Sequence, residues 1–181
     1  MRIISGSKKS ILIKAPKKLP VRPTTDKVKE SLFNIISNKF DIAELIVLDL
    51  FSGTGNISYE FSSRGCKEVL SVDNNINCIK FINKTNFELG LKINTKKIDF
   101  KKFLITNTKR FDIIFADPPY NFLLKEYIEM INLIKEGEIL KENGEIIIEH
   151  SSKILLSENY NEIDERKYGS SSLSFIKKAS L

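Results

Sequence analysis

The segment Asp117-Pro118-Pro119-Tyr120 combines residue types that could bind a planar amine. It follows residues 111–116, a mainly apolar run that is typical of a buried β-strand. The two prolines lack backbone N–H donors, and their carbonyls are expected to face outward with no partner in the chain. Beside the Asp117 carboxylate and the Tyr120 ring, these acceptors would suit a flat ligand with an amino group. Proline also ends many strands before an ordinary loop, so the segment alone does not distinguish a binding site from a plain strand end.

A second candidate segment, residues 45–55, leads from an apolar run into a glycine-containing turn. Asp49 stands at the end of the predicted strand, and Gly53 and Gly55 would let the backbone turn tightly and approach a ligand. Ser58 occupies the spacing at which a dinucleotide-binding loop has its third glycine. Because Asp49 would also repel phosphate, the loop suits a ligand without a pyrophosphate better than a nicotinamide cofactor. A glycine-rich turn that binds nothing is the alternative.

Further acids follow the next predicted strands. Asp73 comes twenty-four residues after Asp49, at a position from which a carboxylate can bind the hydroxyls of a ribose. Asp99 ends the third strand and could accept a hydrogen bond from an adenine amino group beside Phe100, although a lone acid there is more typical of an ordinary loop acid or helix cap. Ligands of open α/β sheets bind at the carboxyl ends of the strands, where Asp49, Asp73 and Asp117 are expected to meet.

Strand and helix patterns alternate along most of the chain, which predicts a doubly wound, mostly parallel sheet closed by an antiparallel C-terminal hairpin. A short N-terminal hairpin precedes it, followed by a helix that Thr24, Thr25 or Asp26 could cap. No element is assigned to residues 100–110. The predicted strands are residues 45–51, 68–73, 92–99, 111–116, 144–150, 161–169 and 171–178, and the helices after the first are 56–65, 74–90 and 122–137.

The net charge of +6 is concentrated at one end of the chain. Residues 1–40 hold ten basic and two acidic side chains, whereas residues 41–181 hold nineteen basic and twenty-one acidic ones. This asymmetry indicates an arm that meets a polyanion such as a nucleic acid. A lysine-rich extension that is only solvated is the alternative. We therefore predict a basic hairpin and helix at 1–40 and a catalytic domain at 41–181.

Other classes of protein are disfavoured. Cys66, Cys78 and His150 are too few for a disulfide framework or a zinc site, and the two cysteines are expected to be small buried side chains. His150 is expected to be a partly buried polar side chain. Lys8 and Lys9 interrupt the first apolar stretch, and no run approaches the roughly 20 apolar residues of a membrane span. A cytoplasmic protein without membrane partners is expected, with a monomer as the default state.

The glycine loop, the ribose acid and the segment after the fourth strand together resemble the S-adenosylmethionine-dependent amino-group methyltransferases. The resemblance implies that Asp117, Pro118, Pro119 and Tyr120 hold an exocyclic amine beside the methyl group of S-adenosylmethionine. The Asp117 carboxylate and the Pro118 carbonyl would accept its N–H groups, and Tyr120 would stack on the base, which contributes roughly 1–3 kcal/mol. The candidate cofactor-binding residues are Asp49, Phe51, Gly53, Gly55, Asp73, Asn74, Asp99 and Phe100.

A narrower resemblance covers the chain nearly from end to end. The motifs "MRIISG" (1–6), "RPTTDKVKESLFNII" (22–36), "LDLFSGTG" (48–55), "SRG" (63–65), "FADPPY" (115–120) and "RKYGSSSLSF" (166–175) look like those of the RsmD family. These bacterial enzymes methylate the N2 amine of a guanine in 16S ribosomal RNA of the small ribosomal subunit. The family implies a Rossmann-like methyltransferase fold with a seven-stranded sheet and an N-terminal hairpin near the active site. Ser52 and Cys66 depart mildly from it, since the family often has alanine there.

The resemblance also implies an assembled ribosomal particle, or an intermediate of its assembly, as the substrate. Arg22 and Thr24 match family positions near the acceptor pocket, although a helix cap and its salt-bridging neighbour would explain the same residues. The candidate RNA-contacting residues are Lys8, Lys9, Lys17, Lys18, Arg22 and Thr24.

Several rival functions stay open at this point. A DNA adenine methyltransferase would usually need a target-recognition domain, for which 181 residues barely leave room. Protein glutamine methyltransferases generally have asparagine at the position of Asp117. A nicotinamide oxidoreductase would leave residues 117–120 unexplained, and a non-catalytic RNA-binding module would leave the three strand-end acids unexplained.

Overall fold

The computed structural model describes residues 1–16, 25–158, 160 and 163–178. The helices are α1 Asp26–Lys39, α2 Asn56–Ser63, α3 Ile76–Leu89, α4 Phe100–Thr106 and α5 Leu124–Glu136. The strands are β1 Ile46–Leu50, β2 Glu68–Asp73, β3 Ile93–Lys97, β4 Phe111–Ala116, β5 Leu140–Ser151, β6 Asp164–Tyr168 and β7 Ser171–Lys177.

The seven strands form one sheet in the order β3-β2-β1-β4-β5-β7-β6. β1 to β5 run parallel, and β7 inserts antiparallel between β5 and β6. The predicted mostly parallel sheet with an antiparallel C-terminal hairpin is thus confirmed. The order of the strands reverses between the neighbouring strands β1 and β4, and ligands of such sheets bind at this reversal, where the parallel strands end. We call that side the carboxyl edge, and the side where the parallel strands begin the amino edge.

Apolar side chains cover both faces of the sheet, because the strands are buried on both sides. In β1, Val47 belongs to the core cluster formed with α1 and α2, whereas Leu48 belongs to the cluster formed with α4 and α5. Alternate residues of a strand point to opposite faces, which explains the near-continuous apolar run in the sequence. The two layers of helices fix the sheet and hold its carboxyl edge open.

The N-terminal hairpin is confirmed, with Arg2 bridged to Leu12, and it packs against the first core cluster. Its side chains Ile3 and Ile13 are buried. The division of the chain at residue 40 into an RNA-binding arm and a catalytic domain stays a prediction. In packing, the hairpin and α1 share one core cluster with β1 and β2.

The hairpin lies along α2. Its tip reaches the C-terminal end of that helix, where the Lys8 N–H donates to Ser63 Oγ at 3.0 Å. Its open end reaches the carboxyl edge, where Thr54 Oγ1 lies 3.7 Å from Met1 Sδ. The hairpin therefore runs between the two edges of the sheet.

Local signals explain most element ends. Thr25, one of the three residues expected to cap α1, accepts a hydrogen bond from the Val28 N–H. Gly90 ends α3 and Gly169 turns β6 into β7, both with positive φ, which glycine adopts without strain. Across the described ranges, no helix is both long enough and apolar enough to cross a membrane.

Some boundaries differ from the prediction. β5 begins at Leu140 rather than at Gly144, and residues 100–106 form α4. β3 ends at Lys97, so Asp99 lies beyond the strand and caps α4 by accepting from the N–H groups of the two residues after Phe100. The cap was one of the two alternatives for Asp99.

Candidate active site

A cleft of about 460 Å³ opens at the carboxyl edge. Its wall includes the carboxylates of Asp49, Asp73, Asp99, Asp117 and Glu126, and it contains no lysine or arginine among the described residues. Cavities of roughly 300–1,000 Å³ commonly hold drug-sized ligands. A cavity with this charge favours a cationic ligand over a phosphate.

The glycine loop forms one wall of the cleft. Phe51, Gly53 and Gly55 all have positive φ, of 69°, 52° and 81°. A Cβ on Gly55 would lie 2.9 Å from atoms of both Tyr59 and Ile82. Gly55 is thus required by the packing of the loop on its own helix, and it does not belong to the lining of the cleft, whereas Gly53 does. The expectation that both glycines approach the ligand therefore has support from the lining at Gly53 alone, and for Gly55 it stays a prediction.

Asp73 orders the loop from the end of β2. Its two carboxylate oxygens accept hydrogen bonds from the Gly53 N–H at 2.8 Å and the Asn75 N–H at 2.7 Å. Burial raises the pKa of Asp73, and these two hydrogen bonds oppose the shift. A carboxylate oxygen can accept more than one hydrogen bond, so Asp73 keeps capacity for a ribose hydroxyl.

Asp49 lies deeper in the cleft and is almost fully buried. Its carboxylate accepts from both the hydroxyl and the backbone N–H of Ser58, and the Ser58 hydroxyl lies 2.6 Å from that of Ser71. Burial raises the pKa of Asp49 to about 7, although Ser58 opposes that shift. The serine at the position of a third glycine therefore serves to bind this acid.

An aromatic cluster forms the opposite wall. Phe51 lies with its ring centroid 4.9 Å from that of Phe100 and 5.6 Å from that of Phe122. Tyr127 packs on Phe122 with a centroid distance of 4.9 Å. This apolar surface suits a flat heterocycle. It forms only because α4, the loop after β1 and the residues before α5 meet here. Phe51 and Phe100 were predicted from the sequence as cofactor-binding residues. Phe122, three residues after Pro119, was not.

The segment after β4 closes the cleft on its outer side. Pro118 is buried, and Tyr120 is 69% exposed at the rim. The Pro119 carbonyl accepts from the Phe122 N–H at 2.9 Å, so the expectation that both proline carbonyls lack a partner in the chain is wrong for Pro119. This bond forms a turn that directs the segment into α5 and fixes the position of Tyr120.

The cleft brings together eleven of the twelve residues predicted for catalysis or cofactor binding, all except Gly55. Lys8 and Lys9 lie on the hairpin tip, away from the cleft. Lys17, Lys18, Arg22 and Thr24 lie outside the described residues. Side chains of the lining that the sequence analysis missed are Ser52, Thr54, Asn56, Ile57, Asn75, Phe115, Asn121, Phe122 and Glu126.

His150 and the two cysteines, which the sequence analysis also considered, are buried in the fold. His150 is buried, with its ring nitrogens 2.9 Å from the Ser151 carbonyl and 2.8 Å from Ser174 Oγ. Burial lowers its pKa. Cys66 and Cys78 are buried free thiols, as predicted. Within the described part of the chain, no group of three or more histidine, cysteine or acidic side chains is arranged to hold a metal ion.

The residues of the cleft fit S-adenosylmethionine. Its sulfonium and ammonium charges match a wall with five carboxylates, and its adenine matches the aromatic cluster. Asp73 stands where a ribose would be bound. No lysine or arginine among the described lining residues compensates these acids, which is consistent with a cationic ligand.

Comparison with known proteins decides the family. The family model described as "Conserved hypothetical protein 95", which corresponds to the RsmD family, matches residues 1–177. The chain belongs to this family. The resemblance found in the sequence motifs is thereby confirmed.

Individual relatives of the family match over most of their length. A Bacillus subtilis (strain 168) protein, YlbH, provisionally named an rRNA methyltransferase, is 36% identical over 98% of this chain and 99% of its own. The Haemophilus influenzae (strain Rd) "Ribosomal RNA small subunit methyltransferase D" is 35% identical over 84% of each chain. The solved structure of YhhF from Escherichia coli, provisionally titled a methyltransferase, aligns with a TM-score of 0.82 at 25% identity over 98% of this chain and 97% of that one. The Rossmann-like methyltransferase fold is thus confirmed.

Proposed function

We propose that this protein transfers a methyl group from S-adenosylmethionine to the N2 amine of a guanine in 16S ribosomal RNA. The small ribosomal subunit or an assembly intermediate would present the acceptor. One observation carries the proposal: the segment from Asp117 to Tyr120 and the Asp73 loop line a single acidic cleft. The side of the cleft at the Asp73 loop suits a cationic cofactor, and the side at residues 117–120 suits an amine on a flat ring. The names of the relatives support ribosomal RNA as the substrate.

Bound S-adenosylmethionine supplies a methyl group that its sulfonium makes electrophilic. An aryl amine is a poor nucleophile, because its lone pair is delocalised into the ring. The Asp117 carboxylate and the Pro118 carbonyl would accept its two N–H groups and favour a pyramidal nitrogen, which frees the lone pair. Since the Pro119 carbonyl already accepts from Phe122, Pro118 is the backbone acceptor we assign to this step. These contacts stabilise charge where it develops.

The atoms balance in a single displacement. The amine held by Asp117 and Pro118 would gain the methyl group, and the electrons of the broken methyl–sulfur bond would stay with sulfur. One N–H proton leaves the nitrogen for the Asp117 carboxylate or water. Tyr120 would stack on the guanine at the rim, where its exposure leaves one ring face accessible to a base.

The N-terminal arm would bind RNA phosphate. Its basic side chains Lys8 and Lys9 lie at the Ser63 end of α2, whereas Asn56 at the other end lines the cleft. At roughly 1.5 Å per residue, the two ends of α2 are about 10 Å apart. A structured RNA particle extends much farther than that, so tip and cleft can bind the same substrate.

The decisive experiment measures transfer of labelled methyl groups to small ribosomal subunits, protein-free 16S RNA, duplex DNA and a mixture of cellular proteins. Nucleoside analysis by mass spectrometry then identifies the product. N2-methylguanosine formed on subunits or 16S RNA supports the proposal. Label on adenine of DNA or on glutamine would replace it with one of the rival methyltransferase functions, and RNA binding without any transfer would support a non-catalytic module.

A further inference from the structure

Ion pairs neutralise many of the basic side chains at the amino edge of the sheet. Six basic side chains there each lie against an acid of another element, and most of these pairs are partly or fully exposed. They are Lys39–Glu145, Lys67–Glu44, Lys109–Glu68, Arg110–Glu138, Lys141–Asp112 and Lys178–Glu142.

The carboxyl edge has a different charge arrangement. Eight exposed lysines lie on elements that begin or end at this edge, and none of them makes an ion pair with an acid in the described ranges 1–16, 25–158, 160 and 163–178. We call this set the rim lysines. They are Lys14, Lys27, Lys80, Lys97, Lys102, Lys125, Lys153 and Lys167.

The position of each rim lysine follows from its element. Lys97 ends β3 and is the register partner of Asp73. Lys102 lies in the first turn of α4, after the cap Asp99, and Lys80 lies in the second turn of α3. The other five follow in chain order. Lys14 lies at the open end of the hairpin, and Lys27 and Lys125 lie in the first turns of α1 and α5. Lys153 follows β5, and Lys167 lies near the end of β6, beside the turn to β7.

The wall of the cleft excludes a phosphate from its interior. Its carboxylates include Asp49, Asp73 and Asp117, and no basic side chain compensates them among the described lining residues. A nucleotide that inserts its base must therefore leave its own phosphates outside. At that boundary the phosphates would meet the rim lysines, because the elements that hold these lysines begin or end at the same edge of the sheet as the cleft.

We infer that the rim lysines form an RNA-binding surface at the carboxyl edge, which contacts the phosphates that flank the inserted nucleotide. The inference rests on the proposed function and adds a surface distinct from the hairpin tip with Lys8 and Lys9; of the rim lysines, only Lys14 and Lys27 lie in residues 1–40. The slightly acidic total charge of residues 41–181 conceals this surface, because that total also counts the acids of the cleft wall, which offset the rim lysines. Exposed, unpaired lysines keep their full charge for a polyanion, whereas paired ones are already neutralised.

The test compares two triple variants. The rim variant carries Lys80→Gln, Lys97→Gln and Lys102→Gln, which lie on one side of the cleft. The control carries Lys67→Gln, Lys92→Gln and Lys177→Gln at the amino edge; Lys92 and Lys177 are exposed and have no acidic partner in the described ranges. Both variants lose the same charge, so a general electrostatic effect would change them equally.

Binding of 16S RNA and of small subunits is measured by filter retention over a range of salt concentrations, together with S-adenosylmethionine affinity by calorimetry. We expect the rim variant to bind RNA at least tenfold more weakly at low salt. The logarithmic salt slope should fall by about 2, because each lost phosphate contact removes roughly 0.7–0.9. The control variant should bind RNA as the wild type does, and all three proteins should bind S-adenosylmethionine equally.

Equal RNA affinity and salt slope in the rim and control variants would overturn the inference, whatever the activity of the wild type. If the wild type binds RNA through the rim lysines but transfers no methyl group, the inference holds and the proposed function fails. The two conclusions are thus tested separately.

Discussion

The ammonium of Lys29 lies 3.3 Å from the carboxylate of Glu60, and both side chains are fully buried. Lys29 also donates to the Arg2 carbonyl and to Asn56 Oδ1 at the edge of the cleft. Glu60 accepts from the N–H groups of Ile4 and Ser5. This pair therefore connects the hairpin, α1 and α2, and it fixes the hairpin relative to the cofactor loop.

Replacing Lys29 should cost much of the stability of the fold. Lys29→Met would remove the ammonium from the buried Glu60 carboxylate, which keeps only the Arg64 guanidinium as a cationic partner, so the loss should lie at the lower end of that for a broken buried pair, about 3 kcal/mol. Urea unfolding measures the loss. Lys84→Met is the control, because Lys84 forms an exposed ion pair with Glu88. This variant should lose less than about 1 kcal/mol of unfolding free energy. Hydrogen exchange at Ile4 and Ser5 should accelerate only in Lys29→Met, and equal losses in both variants would contradict this role.

The Asp73 carboxylate should determine cofactor affinity. Asp73→Ala removes the proposed ribose acceptor and the acceptor of the Gly53 N–H, and a hydrogen bond to a charged group contributes about 1.5–3 kcal/mol. We expect S-adenosylmethionine to bind at least tenfold more weakly by calorimetry. Asp41→Ala removes an acid that only caps a short helix before β1, and it should not change the affinity. Unchanged affinity in folded Asp73→Ala would remove Asp73 from the site.

Substitutions of Asp117 should separate catalysis from cofactor binding. Asp117→Ala removes an acceptor that the amine uses as it changes shape, so turnover should fall by at least a hundredfold while S-adenosylmethionine affinity stays constant. Asp117→Asn should be milder, because its side-chain carbonyl still accepts one hydrogen bond. Single-turnover methyl transfer to small subunits measures both. Near wild-type rates in the two variants would exclude the assigned role.

Much of this arrangement could be predicted because its signals are local. Gly90 and Thr25 mark helix ends through their own backbone and side-chain chemistry. Asp49, Asp73 and Asp117 could be placed together because parallel strands end at one edge of a sheet. Each of these predictions needs only the identity of a residue and the type of its element.

Other features depend on contacts between distant segments. Lys29 and Glu60 lie in different helices, and neither residue type signals a buried pair in a sequence. Phe122 joins the aromatic cluster through packing with Phe51, which lies in another part of the chain. The charge total of residues 41–181 likewise could not show which lysines are paired. Tertiary structure supplies this information.

Asp49 should make stability depend on pH. Its pKa is raised to about 7 in the folded protein, compared with an ordinary 3.8. The folded state therefore holds its proton more tightly, and the stability that this contributes is present below about pH 4 and is lost as the pH rises to about 7. Three pKa units correspond to about 4 kcal/mol at most.

The measurement compares urea unfolding of the wild type and Asp49→Asn between pH 4 and pH 8. Asparagine can still accept from Ser58 but does not titrate. The wild type should lose stability relative to Asp49→Asn across this range, and the change should level off above about pH 8. A constant difference between the two proteins would show that Asp49 is ionised throughout.

The arm should contribute to RNA affinity independently of the rim lysines. Exchanging Lys8, Lys9, Lys17 and Lys18 for glutamine removes four of the ten basic side chains in residues 1–40. We expect weaker binding of small subunits at low salt and a salt slope reduced by about 3, because each lost contact removes roughly 0.7–0.9. S-adenosylmethionine affinity should not change, since the glycine loop lies in the other segment of the chain. A wild-type salt slope in this variant would mean that the arm is only solvated and that the rim lysines provide the electrostatic attraction.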